Sequence, residues 1–203
     1  MSTQPQPAPT LGADSQPQAK PKRNRIRTKR RRATTVAVNP EESDALTAFF
    51  ERFGDRGFVY DPEKRPTIEF SRLNRELEIE KYSTESKDIW KAFGKAMAAQ
   101  FGIKFGKNVN DLRAWQRLCK RIGIEPLPTT LEDARAKFKE THVNIVELLT
   151  PRIKDGEMET FETEEALAIY SCSTPGLIYP RKFVTGGSLL WYLLRHILTP
   201  VRE

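Results

Sequence analysis

The stretch from Asp111 to Ile124, Asp-Leu-Arg-Ala-Trp-Gln-Arg-Leu-Cys-Lys-Arg-Ile-Gly-Ile, constrains the fold more than any other part of the chain. Leu112, Trp115, Leu118, Cys119 and Ile122 recur at steps of three, three, one and three, the spacing of one face of a helix with 3.6 residues per turn. Asn110 or Asp111 can cap its start through a side-chain oxygen, and Gly123 can end it in a left-handed conformation. Arg113, Gln116, Arg117, Lys120 and Arg121 then fall away from the apolar face. A helix with so sharp a contrast between its faces, carrying one of three tryptophans, needs a core closed over its greasy side. That dictates an architecture and leaves the activity open.

Other segments repeat the helical spacing. Pro40 to Phe53 places acids in a first turn and Leu46, Phe49, Phe50 and Phe53 on one face, with proline near the start and acids complementing the helix dipole. After a break at Gly54–Gly57 and a turn at Asp61-Pro62, Pro66 opens a second helix through Phe70, Leu73 and Leu77. Ser83 or Thr84 caps the longest helix, running to about Lys104, with Ile89, Trp90, Phe93, Met97 and Phe101 as its core face. Thr130 caps a helix from Leu131 to about Glu140. The run from Val143 to Leu149 reads as an apolar helix ended by Pro151, and Thr163 caps another anchored by Leu167, Ile169 and Tyr170. Pro180 is expected to start the last helix, apolar nearly all round from Leu189 to Ile197. Between them, Asp155-Gly156 is a hairpin-type turn signal. The expected fold is therefore all-α: one irregular bundle of about six to eight helices over 40–203, a small β-ribbon or a loop near 152–161, and a sub-boundary near 150–162. No internal repeat and no heptad register is present.

Charge divides the chain in two. Residues 1–39 hold Lys20, Lys22, Arg23, Arg25, Arg27, Lys29, Arg30, Arg31 and Arg32 against the single acid Asp14. The chain's formal charge of +7 thus resolves into +8 on this leader and −1 on the remainder. The leader contains almost no large apolar side chain, so it cannot bury enough surface to offset its ordering entropy and is expected to be a disordered tail. Its cluster 20–32 suits a nuclear import receptor. The same cations can also neutralise nucleic-acid phosphates. No aromatic residue interrupts the cluster, which argues against base stacking.

Catalytic and cofactor signatures are missing from the sequence. The two cysteines, Cys119 and Cys172, show no metal spacing. His142 and His196 each sit in an apolar segment that reads as helix, where a lone histidine is usually a core or boundary residue. Gly186-Gly187 has no preceding strand and no lysine of a phosphate loop. No cofactor is expected. The longest apolar run, Leu189 to Leu194, falls far short of the ~20 residues a membrane helix requires. One arrangement could read DNA: the long helix and the 111–122 helix, joined by a short Gly/Asn connection, form a helix-turn-helix candidate. It would present Arg113, Gln116, Arg117, Lys120 and Arg121 to phosphates or guanine edges.

Several blocks resemble a set of small uncharacterised fungal proteins. They are Phe49-Phe50 with Tyr60-Asp61-Pro62, Trp115-Gln116-Arg117-Leu118-Cys119, His142-Val143-Asn144-Ile145-Val146, Phe161 with Tyr170, and the Leu-Leu-Arg-His-Ile block over 193–197. The likeness spans about 45–200 and implies an intracellular, single-domain helical protein, with no site residue to carry over. The expected function is that of a non-enzymatic nuclear protein with a regulatory role. In this reading a helical module binds a protein partner, while the basic tail engages an import receptor and nucleic acid. The alternatives are a sequence-specific DNA-binding protein using helix 111–122, a cytoplasmic location, and a small enzyme with no recognisable motif.

Overall fold

The computed structural model of the chain describes residues 44–194. Among them are eight α-helices, two 3-10 turns and one two-stranded antiparallel sheet, so the fold is the expected helical bundle. The leader with its nine cations from Lys20 to Arg32, and the last residues including His196 and Ile197, lie outside the described residues.

Helix α3, Thr84–Phe105, is the axis. The Ser83 hydroxyl starts it by accepting from the Ser86 amide at 3.0 Å. Ile89, Phe93, Met97, Phe101 and Phe105 are buried along one side. Around α3 pack α1 (Ala45–Glu51), α4 (Leu112–Ile122), α6 (Ile145–Leu149), α8 (Leu189–Leu193) and the 3-10 turn Arg181–Phe183. The turn comes very close: a Cβ on Gly94 would lie 1.9 Å from Cδ2 of Phe183, so only glycine admits that ring.

Aromatic rings fill the N-terminal half of the core. Phe49 and Phe50 of α1, Phe70 of α2 (Pro66–Glu76) and Phe93 of α3 form one cluster. Phe70 stacks on Phe93 at 4.4 Å and Phe50 on Tyr60 at 4.3 Å, the offset arrangements that ring quadrupoles favour. Helix α1 begins at Ala45 rather than near Pro40, which lies outside the described residues. Asp44 sets that start: its carboxylate accepts from the Leu46 and Thr47 amides, while buried Gln100 accepts from the Ala45 amide at 2.8 Å.

The other half of the core is built on α4, which matches its expected bounds. Asp111 caps it, Gly123 ends it at φ +77, and Trp115, Leu118 and Cys119 are fully buried. Burial of Trp115 leaves its indole N–H needing an acceptor, which the Val109 carbonyl supplies at 2.9 Å. Phe138 of α5 (Leu131–Glu140) closes over the indole at 5.3 Å between ring centroids.

Several expectations need correction. The run from Val143 to Leu149 is not one helix: His142–Val143 is strand β1, and α6 spans only Ile145–Leu149. Asn144 makes the cut, because its side-chain oxygen caps α6 while its amide donates to Ser171 and to the Leu177 carbonyl. The Asp155-Gly156 turn forms, with Gly156 at φ +80, but the segment around it is the loop of the two alternatives and not a ribbon confined to 152–161. Strand β2, Thr160–Phe161, instead pairs with β1, Phe161 opposite His142 and Thr160 opposite Val143. Finally, Pro180 begins only a 3-10 turn; α8 starts later, capped by Ser188 after the Gly186-Gly187 break. Trp191 and Tyr192 of α8 are exposed, so that helix is not buried all round, and Ile169, expected to anchor α7 (Glu164–Ser173), is exposed as well. None of the described helices is long and apolar enough to cross a membrane.

Candidate anion-binding cleft

Where α3 ends, α4 passes and the chain turns after α6, a cleft of about 510 Å³ opens between Lys104, Arg117, Lys120, Arg121 and Asp155. The cations are there for a local reason. The last carbonyls of a helix lack partners within it and carry partial negative charge. The Phe105 carbonyl, at the end of α3, accepts from Arg117 Nε at 3.2 Å and Nη2 at 2.8 Å. The carbonyls of Glu147, at 3.4 Å, and Thr150, at 2.9 Å, accept from Arg121 Nη2. Arg121 Nη1 donates to the Ile153 carbonyl and to Asp155 Oδ1, the latter at 3.2 Å. Lys104 reaches the Leu149 carbonyl at 3.4 Å.

Four cations therefore meet one carboxylate of the lining, and the Asp155 side chain is 56% exposed, so its screening of the others is weak. Arg117 has a second acid, Asp111, only at 3.8 Å, with both side chains largely exposed. Burial lowers the affinity of the Lys104 amine for its proton, and the nearby Arg121 charge lowers it further.

The candidate DNA-contact residues separate into three groups. Arg113 and Lys120 are exposed. Arg117 is exposed along its length, but its guanidinium is tied to Phe105, and Gln116 donates to the Pro128 carbonyl at 2.9 Å. Arg121 is only 8% exposed, which corrects the expectation that it stands outward. It lies seven residues after Ala114, on the flank of the apolar face, and Ala114 is itself buried.

His142 is buried in β1 rather than in a helix, and Cys119 is a buried free thiol pushed up to about 11 by burial. Among the described residues no group of three or more His, Cys, Asp or Glu could hold a metal ion.

Two buried carboxylates were not legible in the sequence. Glu69 accepts from the Asp61 amide at 2.9 Å and from Arg72 Nε at 3.0 Å, and Arg72 lies 4.3 Å from the Phe58 ring centroid. Glu147 accepts from the Tyr170 hydroxyl at 2.8 Å and faces Arg65 at 3.4 Å. Burial, together with this hydrogen bond, pushes the Tyr170 phenol up to about 12. Glu147 ties α6 to α7 and, through paired charge, to the chain before α2, whereas Glu69 pairs with Arg72 within α2 and holds the preceding loop through the Asp61 amide. A second cleft of about 420 Å³, between α3 and residues 183–190, has small and apolar walls with Lys95 and Lys107 at its edge. Comparison with protein-family models, curated proteins and solved structures found no match.

Proposed function

We propose that this chain is a non-enzymatic nuclear protein of regulatory role, whose helical body is an interaction module and whose leader is a targeting and anchoring arm. The observation that carries the reading is the partition of charge. Nine cations between Lys20 and Arg32 stand against one acid in the first 39 residues, while the rest of the chain is close to neutral. Such a leader is read by an import receptor and held by phosphates. The body contributes a protein-binding surface, and the buried carboxylates, matched by arginines, serve its packing.

Fluorescent-protein fusions of the full chain, with and without neutral replacements across 20–32, test the reading. Nuclear accumulation that disappears with the cations is the expected result. Equal cytoplasmic fluorescence from both fusions would remove the nuclear assignment.

Reading of DNA by the outer face of α4 is the second interpretation, favoured by the exposure of Arg113 and Lys120. With Arg121 buried and Gln116 engaged, few side chains of that face remain to discriminate bases. Sequence preference on a randomised duplex pool, lost in Arg113→Ala/Lys120→Ala, would support it; an unselective pool would not.

A further inference from the structure

We propose that the cleft between the end of α3, α4 and the turn after α6 seats a phosphate of a nucleic-acid backbone, a fixed contact separate from the basic leader. This rests on the reading above that the chain meets nucleic acid, and it moves the folded contact from the outer face of α4 to its flank.

Charge is the first argument. The body as a whole is slightly acidic, yet Lys104, Arg117, Lys120 and Arg121 line one cleft with Asp155 as the acid among them. Pre-organisation is the second. The Arg117 guanidinium is already held on the Phe105 carbonyl through Nε and Nη2, so an incoming anion meets an ordered cation and loses little to side-chain freezing; Arg121, whose terminal N–H groups are engaged by carbonyls and Asp155, contributes its fixed charge. Third, Lys104 and Arg121 hold like charges together in a partly buried place; an anion between them relieves that repulsion. The form of the cleft selects the ligand class. Its polar lining is cationic with a single carboxylate, and Phe105 is buried. That arrangement grips a phosphate without reading a base, as backbone contacts do. A leader and a fixed cleft on one chain raise each other's effective concentration on a polyanion.

The test uses the full chain and a fluorescein-labelled 20-base-pair duplex, with anisotropy followed across a salt series. The cleft variant is Lys104→Gln/Lys120→Gln, which spares the two arginines that hold backbone carbonyls. Lys120→Gln alone, at an exposed position, covers the case in which the double variant fails to fold by circular dichroism. Lys95→Gln/Lys107→Gln makes the same charge change at the other cleft. The proposal expects the cleft variant to weaken binding about tenfold and to reduce the slope of log affinity against log salt by about one to two. Lys120→Gln should give about half of that slope change, and the control pair less than a twofold effect. Equal weakening by the control pair, or an unchanged slope in the cleft variants, overturns the cleft. Should the wild type bind and only neutralisation of 20–32 abolish binding, the nucleic-acid reading stands and the cleft proposal is refuted. Absence of duplex binding by the wild type removes the nucleic-acid reading itself, and inorganic pyrophosphate titrating the cleft in that case would refute the backbone assignment.

Discussion

The Arg121 guanidinium donates to the backbone carbonyls of Glu147, Thr150 and Ile153 and to the Asp155 carboxylate. Removing it strands carbonyls in a place where water reaches poorly, and a stranded buried acceptor costs about 1–3 kcal/mol. Arg121→Ala should therefore lower unfolding stability by about 2–4 kcal/mol in a urea titration, whereas Lys120→Ala, one residue earlier and exposed, should stay within about 0.5 kcal/mol. Equal small losses would mean that the carbonyls find water instead. A charged residue in a helix reads from sequence as solvent-facing, and for Arg113 and Lys120 that holds. It fails for Arg121 and Glu147, because their partners come from distant stretches of chain, and for Glu69, which pairs with Arg72 of its own helix but is covered by the loop that brings in the Asp61 amide. Spacing along one helix carries no information about which foreign carbonyl or arginine will arrive beside it.

Helix boundaries were the most legible feature, since caps are local chemistry. Ser83, Asp111, Thr130 and Thr163 all accept from amides of the turns they start. The failures were also local in cause but tertiary in trigger. Asn144 could cap or continue an apolar run, and its amide bonds to Ser171 and Leu177 decide for the cap. Gly94 is the clearest case of an element shaped by its neighbour. Within an α-helix alanine should be preferred to glycine by about 1 kcal/mol, yet the Phe183 ring occupies the place of a methyl group there. Gly94→Ala should thus destabilise by about 1–3 kcal/mol through overpacking, despite its better propensity. In a Phe183→Ala background the same change should become neutral or stabilising. A thermodynamic cycle over the four proteins measures this, and additive effects would show that the ring moves aside freely.

Across the whole molecule, the core holds acidic protons in apolar surroundings, which gives it a pH response on the alkaline side. Burial raises Cys119 from 9.0 to about 11 and Tyr170 from 10.0 to about 12. Burial also raises Tyr60 and Tyr179. A group whose folded value is raised keeps its proton longer in the native state than in the unfolded one. Its contribution is fully present below the unfolded value and is lost as pH rises through the folded value. Lys104 acts in the opposite sense, since burial lowers its value in the folded state, so its penalty fades as pH rises towards 10.5. Four raised groups oppose one lowered group, and the net slope is negative. Between about pH 9 and 10 the Cys119 and Lys104 contributions oppose each other, and the urea midpoint should fall above about pH 10, where the three tyrosines join Cys119. Cys119→Ala, though less stable at every pH from its lost packing, should show a flatter fall between pH 9 and 11 than the wild type. Parallel curves for the two proteins would mean that the thiol ionises in the native state as readily as in the unfolded one, and that the face of α4 carrying Cys119 and Trp115 admits water.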